Sequence, residues 1–382
     1  METVKLGLLI KKTKVARCGT RSYPVLSITK QDGIIMQSEK FKKRIASADT
    51  SGYKIIPRGK LVQGIHIDEG NFGIQDIVDN GIVSPAYGVW DVNDELVVPK
   101  YLEMVLRSPK SIEFYRSKLT GTVSRRGHMS DTDFLSMDVP FPDKDTQSKI
   151  LETMKQTTSV LCSRQQQLAK LDELVKARFV EMFGTYPDNP FGWNTGKIQD
   201  VVSDVRYGSS RPAVEGGKYP YLRMNNITYA GELDLTDTKR IDVPDNELDK
   251  CTVRRGDVLF NRTNSKELVG KTCVYNRDDM MVLAGFVIRV RVNERILPEF
   301  LVAFLNTDFS KQMLLGMCKT AIGQANINAK EMQNIGLYIP PIALQEQFVD
   351  LKNQIDKSKV EVQKALDQTQ LLFDSLMQQY FG

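Results

Sequence analysis

Apolar positions along this chain fall into two regimes. From about Asp145 to Met182, and again from about Leu344 to Tyr380, there is no proline or glycine. Within the first stretch Met154, Leu161, Leu168, Val175 and Met182 recur every seven residues, with Leu151, Leu171, Leu174 and Phe179 beside them. The second keeps the same period with Phe348, Ile355, Val362 and Leu376, flanked by Leu351, Ala365 and Leu372. A seven-residue recurrence returns to one face of a helix every two turns, so each stretch predicts a long helix with an apolar seam. Pro140, Pro142, Pro340 and Pro341 suit helix entry and Gly184 suits an exit. About 40 residues at ~1.5 Å each make a helix roughly 55–60 Å long. Two arrangements fit: each helix lies on its own domain, or the two pack on each other. The second is preferred, because a small domain would not cover either seam along its whole length.

Outside the helices the pattern is mixed, with strands dominating. Lys218 to Met224, Asp257 to Arg262, Thr272 to Tyr275 and Met281 to Val292 are short runs rich in Val, Ile, Leu and aromatic residues, and predict strands. Pro298 to Met317 predicts a helix opening at proline, with Phe300, Leu301, Phe304, Leu305 and Leu314 on its apolar side. Pro99 to Ser117 is its counterpart in the first half. The segment Phe183 to Trp193, with Pro187 and Pro190, separates the first long helix from the second domain.

These halves are copies. Tyr23-Pro24-Val25-Leu26 returns as Tyr219-Pro220-Tyr221-Leu222, 196 residues later. Val98-Pro99-Lys100-Tyr101-Leu102 returns as Leu297-Pro298-Glu299-Phe300-Leu301 at an offset of 199, Gln147 as Gln345 at 198, and Phe183-Gly184 as Phe381-Gly382 at 198. Pro57-Arg58-Gly59-Lys60-Leu61-Val62 pairs with Arg254-Arg255-Gly256-Asp257-Val258-Leu259 at 197. A register that drifts so little over ordered matches marks a unit written twice. The boundaries read as a domain over 1–142, a helix over 143–184, a second domain over 185–341 and a second helix over 342–382.

Composition narrows the class. A hydrophobic share of 41% supports real cores, and 382 residues suit two or three domains rather than one. No apolar run approaches the roughly 18 residues of a membrane helix, and Met1 to Gly7 carries no secretory pattern. The expectation is a soluble, cytoplasmic protein without a membrane partner. Cys18, Cys162, Cys251, Cys273 and Cys318 are scattered and contain no CxxC pair, which argues against a disulfide framework or zinc ribbon. Two histidines, His66 and His128, make a His-rich metal site improbable, and no metal is expected. The net charge of +5 permits a nucleic-acid partner without demanding one.

Catalytic motifs are absent from the sequence. There is no G-x-x-x-x-G-K phosphate loop. Asp188-Asn189-Pro190-Phe191 only loosely resembles a methyltransferase motif and falls in the linker. A nuclease set forced from Asp188 and Asp237-Thr238-Lys239 is a match expected by chance, and no serine triad can be assembled. The chain reads as having no catalytic residue and no cofactor of its own.

The motifs as a set resemble the specificity subunit of a type I restriction–modification enzyme, over essentially the whole chain. The resemblance rests on Leu119-Thr120-Gly121-Thr122-Val123-Ser124-Arg125-Arg126-Gly127-His128-Met129 leading to Val139-Pro140-Phe141-Pro142 and Gln147. It rests equally on Thr320-Ala321-Ile322-Gly323-Gln324-Ala325-Asn326-Ile327-Asn328 leading to Ile339-Pro340-Pro341 and Gln345. The helix end Leu171-Asp172-Glu173-Leu174 to Phe183-Gly184 and the run Gly81-Ile82-Val83-Ser84-Pro85-Ala86-Tyr87 complete it. Asp257 to Thr263 fits the family's strand pattern, whereas Lys60 to His66 fits poorly, as expected if the domains read different half-sites. The start of the first helix, after Pro-Phe-Pro instead of Pro-Pro, is left open.

The resemblance implies an α+β chain: two mixed α/β target-recognition domains, separated by two long helices that form an antiparallel coiled coil with a pseudo-twofold axis. It implies a non-catalytic subunit that binds double-stranded DNA at a bipartite target. Two modification subunits would bring S-adenosylmethionine and methylate adenine; restriction subunits, where present, would bring ATP and Mg. Base reading needs donors and acceptors at base edges, and orientation needs cations along phosphates. Candidates in domain one are Lys11, Lys12, Lys14, Arg17 and Arg21, then Arg125, Arg126 and His128. In domain two they are Arg206, Tyr207, Ser209, Ser210 and Arg211, with Arg223, Asn225, Asn226, Arg262, Asn264, Lys319, Gln324, Asn326 and Asn328. The rival reading is a duplicated protein-interaction scaffold without DNA specificity. A stand-alone restriction or modification enzyme is a weaker rival.

Overall fold

Forty uninterrupted helical residues form at each predicted stretch, Lys144–Phe183 and Ile342–Phe381, in a computed structural model of the chain. The structure describes residues 2–30, 32–40, 49–119, 129–321 and 324–382, with the backbone alone at 40, 319–321 and 324. The first helix opens where Asp143 accepts the amide of Thr146 at 2.9 Å, a carboxylate cap one residue beyond Pro142, which fixes the start that the sequence left open. It ends at Gly184, whose φ of +79° is the left-handed conformation that closes a helix.

The chain divides into two units, Met1–Arg164 with Ala365–Gly382, and Gln165–Lys364. In the first, an antiparallel sheet runs Ile10–Lys12, Gly88–Val92, Leu61–Gln63, Phe72–Ile74. In the second, the order is Val202–Tyr207, Val287–Val292, Val258–Asn261, Thr272–Val274. Both place the first strand beside the last, then the second, then the third, so the repeat in sequence is a repeat in topology. Each sheet is backed by a helix opening at proline, Pro99–Leu106 or Pro298–Leu305. Each unit also has a strand pair, Thr3–Lys5 with Asp138–Pro140 and Asn194–Lys197 with Gly336–Ile339.

Two elements differ from expectation. The single helix over Pro298 to Met317 is two, Pro298–Leu305 and Asp308–Met317, because the Thr307 side chain accepts the Ser310 amide at 3.2 Å and restarts the helix. Ser108 and Pro109 restart its counterpart as Pro109–Lys118. The run Met281 to Val292 is likewise two strands, Met281–Leu283 and Val287–Val292. Between them Ala284 bridges to Ser209, and the amide of Gly285 donates to the Ser209 carbonyl at 2.7 Å.

Both cores draw on both long helices. In the first unit Ile150 and Met154 of the first helix join Phe381 of the second, whose ring lies 5.7 Å from Tyr101. In the second unit Phe179 and Phe183 of the first helix join Phe348 of the second around Phe300, with ring centroids 4.8–5.7 Å apart. Along the seams Met154, Phe348 and Ile355 are buried, while Leu161, Leu168, Val175, Met182, Val362 and Leu376 are half-buried. Leu174 and Leu372, expected to widen the seams, are exposed. Each lies one residue off the apolar face, where Val175 and Phe373 cover the core instead.

The repeated glutamine explains its own recurrence. Gln345 is fully buried; its Oε1 accepts the Leu297 amide at 2.8 Å and its Nε2 donates to the carbonyls of Pro340 and Arg295. Gln147 does the same with the Val98 amide and the Pro142 carbonyl, both at 2.8 Å. Each glutamine ties the entrance of a long helix to the entrance of the domain helix. Gln345→Leu keeps the volume but strands one buried amide and two carbonyls. It is expected to cost about 2–3 kcal/mol, read as a lower denaturation midpoint; an unchanged midpoint would show that the tie contributes nothing.

Candidate nucleic-acid interface

The second unit gathers several candidates at one end of its sheet. Tyr207 ends the strand Val202–Tyr207 and is exposed. Arg262 leaves the strand Val258–Asn261 and lays its guanidinium 4.9 Å over the Tyr207 ring. One Nη of Arg262 donates to Asn326 Oδ1 at 3.1 Å, and Asn326 Nδ2 donates to Thr263 Oγ1 at 3.2 Å. Thr263–Asn264 pairs with Gln324–Asn326, which pairs in turn with Lys319–Ala321. Tyr207, Arg262, Asn264, Lys319, Gln324 and Asn326 therefore share one small sheet and its border. Asn328 lies next to it but is occupied, accepting the Glu331 amide at 2.9 Å as a helix cap.

A second group adjoins this one through the turn Ala284 to Phe286. The Arg262 amide donates to the Phe286 carbonyl at 3.0 Å, and the Ser209 amide donates to Leu283 at 2.7 Å. Gly208 lets the two segments meet, since a Cβ there would lie 2.1 Å from the Leu283 oxygen. Ser209 is buried; Ser210 and Arg211 are exposed. Arg211 forks onto Glu247 at 2.8 and 3.2 Å, and this contact holds the Glu247 carboxyl below its ordinary range. Arg206 pairs with Asp204 at 2.9 Å.

The remaining candidates of domain two form a separate loop cluster. Arg223 pairs with Asp237 at 2.8 Å. Asn226 is buried, accepting the Arg223 amide and donating to the Asp234 carbonyl, both at 2.8 Å, while Asn225 is exposed. Asn226 shapes this loop from inside.

In the first unit Lys11, Lys12, Lys14, Arg17 and Arg21 are all exposed along one strand and the loop after it. Lys12 bonds Asp131 and lies 5.6 Å over Trp90; Arg21 lies 6.0 Å over Tyr23. Lys14, Arg17 and Arg21 make no ion pair among the described residues. Lys54, bridged to Arg17, joins this cluster: burial first, then repulsion from Lys12 and Arg17, holds its amine below the usual lysine range. Lys14, Arg17 and Arg21, exposed and without an ion pair among the described residues, suit an anion such as a phosphate. Arg125, Arg126 and His128 lie outside the described residues.

Two exposed apolar side chains were not among the sequence candidates. Phe286 is 51% exposed in the turn that joins the first two groups, and Ile65 is 56% exposed in the first unit. The signal for Phe286 was the Ala-Gly-Phe interruption of a β-rich run; Ile65 had none. Among the described residues there is no cluster of three metal-ligating side chains and no helix long and apolar enough to cross a membrane.

Comparison with known proteins shows what this chain is similar to. Residues 190–369 match the model of the type I restriction modification DNA specificity domain. The chain is 24% identical over 221 residues to the type I restriction enzyme EcoKI specificity subunit of Escherichia coli K12, covering 56% of this chain and 47% of that protein. It is 21% identical over 310 residues to the StySPI specificity subunit of Salmonella potsdam, covering 75% and 66%. The chain thus spans about half the length of the EcoKI subunit. A solved structure described under complex assembly and conformational transition of the type I R-M system shares the fold, with a TM-score of 0.64 at 18% identity, covering 100% of this chain and 97% of that one. So does the type I restriction-modification system S subunit from M. genitalium, with a TM-score of 0.52 at 15% identity, covering 100% and 96%. By these comparisons the chain is similar to the type I restriction enzyme specificity subunits, and residues 190–369 match the DNA specificity domain of type I restriction modification.

Proposed function

We propose that the chain is the DNA-reading subunit of a type I restriction–modification complex. Domains 1–142 and 185–341 each read one half of a split target. The long helices run antiparallel as a coiled coil and set the gap between the halves. The observation that carries this reading is the duplication: one strand order and one buried glutamine tie occur twice in a chain whose second copy matches the model of a DNA specificity domain. The antiparallel pairing is supported from within each unit. The start of the first helix packs with the end of the second in one, and its end packs with the start of the second in the other.

In this reading the subunit performs no chemistry. It holds the duplex while two modification subunits bind S-adenosylmethionine and methylate an adenine that must leave the stack to be reached. Restriction subunits, where present, add ATP- and Mg-dependent cleavage.

Methylome sequencing of cells carrying this chain with its modification partners tests the proposal, with a split, asymmetric motif as the expected result. Exchanging residues 1–140 for those of another specificity subunit should change one half of that motif only. A purified complex should also lose at least about a thousandfold in duplex affinity between roughly 50 and 200 mM salt, if six or more phosphates are contacted. Salt-independent protein association without duplex binding would favour the scaffold instead.

A further inference from the structure

Arg262 differs from the other arginines nominated in domain two. Arg206, Arg211 and Arg223 each face a carboxylate, of Asp204, Glu247 and Asp237. Arg262 faces none among the described residues. It is held by neutral groups: the Tyr207 ring beneath its plane and Asn326 Oδ1 at one Nη. Its amide donates to Phe286 and its carbonyl accepts from Ile327 at 2.9 Å, so its backbone is fixed as well. The Tyr207 ring is fixed in turn, because its hydroxyl accepts the Ala329 amide at 2.9 Å. Both polar ends of the Asn326 amide are engaged, one by Arg262 and one by Thr263. The Nε of Arg262 is buried with no partner among the described residues.

A guanidinium clamped at its stem by neutral contacts has no counter-charge beside it and leaves terminal N–H donors uncommitted in a fixed plane. Two coplanar donors match the O6 and N7 acceptors that guanine presents in the major groove. We propose that Arg262 reads a guanine in the half-site of domain two, with Tyr207 and Asn326 as its positioning residues. This rests on the DNA-reading function proposed above. The strand register supports a discriminating role for the position. Leu61 pairs with Trp90 and Ile74 as Val258 pairs with Val290 and Val274. Four residues onward from each lie Ile65 and Arg262, so the first domain presents an exposed aliphatic side chain where the second presents a cation.

The test is methylome sequencing of the full chain with its modification subunits, comparing wild type with Arg262→Gln, Arg262→Lys, Tyr207→Leu and Asn326→Ala. The wild-type motif should contain a guanine in the domain-two half. Arg262→Gln should lower methylation of wild-type sites about ten- to a hundredfold and relax or switch that one position. Arg262→Lys should relax it too, since an ammonium cannot form the fork. Tyr207→Leu and Asn326→Ala should loosen the same position to a smaller degree, leaving the other half unchanged. Uniform weakening across all sites with the motif intact, or rescue by lysine, would assign Arg262 to a phosphate and overturn the proposal. So would unaltered methylation. Should Arg262→Gln prevent assembly, the charge-preserving Arg262→Lys carries the same test. A wild-type chain that supports no motif-specific methylation would overturn the underlying function instead.

Discussion

Asp204→Ala is expected to destabilise the second unit by about 3–5 kcal/mol, lowering its melting temperature by roughly 10 °C. Asp204 bonds Arg289 at 2.7 Å, and the Arg289 side chain is only 2% exposed. That guanidinium crosses from the sheet to the carbonyls of Asp249 and Thr252, at the end of the helix Asp245–Cys251. Removing the carboxylate leaves a desolvated cation without a counter-charge, which costs far more than the intact pair contributes. Adding Arg289→Met to Asp204→Ala should therefore restore a large part of the loss; a double variant no more stable than Asp204→Ala would refute the electrostatic account. The pair also sets an acid limit. Burial alone would raise the Asp204 carboxyl, but hydrogen bonds and charge from Arg289 and Arg206 hold it below the usual carboxylate range. A depressed carboxyl contributes stability above its unfolded value near ~3.9, and that contribution disappears as pH falls through the lower folded value. The wild-type chain should lose this part of its stability only below about pH 4, whereas Asp204→Ala should show a flatter acid limb.

The features legible in the sequence were those set by local chemistry. The sequence predicts the long helices from about Asp145 to Met182 and from about Leu344 to Tyr380, and they lie at Lys144–Phe183 and Ile342–Phe381, since proline, glycine and a seven-residue period need no distant partner. The duplication was legible for a related reason: the buried glutamine and the terminal Phe-Gly perform the same local task in each copy. The features that stayed hidden depend on residues far apart in sequence. Met281 to Val292 reads as one strand until Ser209 pairs with Ala284 and breaks it. Leu372 and Phe373 are equally apolar, and only the surrounding core decides which one is covered. The candidate site follows the same rule. The residue types of Arg211 and Arg262 were legible, but whether each is neutralised was not. Glu247, 36 residues from Arg211, occupies one, while Tyr207 and Asn326 leave the other uncompensated.

Removing one seven-residue period from each long helix, residues 162–168 and 363–369, should shorten the gap in the recognised motif while leaving both half-sites intact. The deletion brings Leu161 to seven positions from Val175, and Val362 to seven from Leu376, so both seams stay in register. Seven helical residues span about 10.5 Å. At roughly 3.4 Å per base pair, the expected change is about three base pairs, read directly by methylome sequencing. Two features make this more than a test of folding. The buried ends of the helices, Met154, Phe179, Phe183, Phe348 and Phe381, lie outside the deleted stretches, so each domain keeps the aromatic anchor that seats it. Rotation about the duplex follows length as well: three base pairs are nearly a third of a turn of about 10.5. A rigid pair of helices should therefore lose rate even at the shortened spacing, and deleting two periods from each should worsen the phase. If the spacing stays as in wild type while methylation persists, the helices do not measure the target, and the gap is set by how the domains are gripped by their partners.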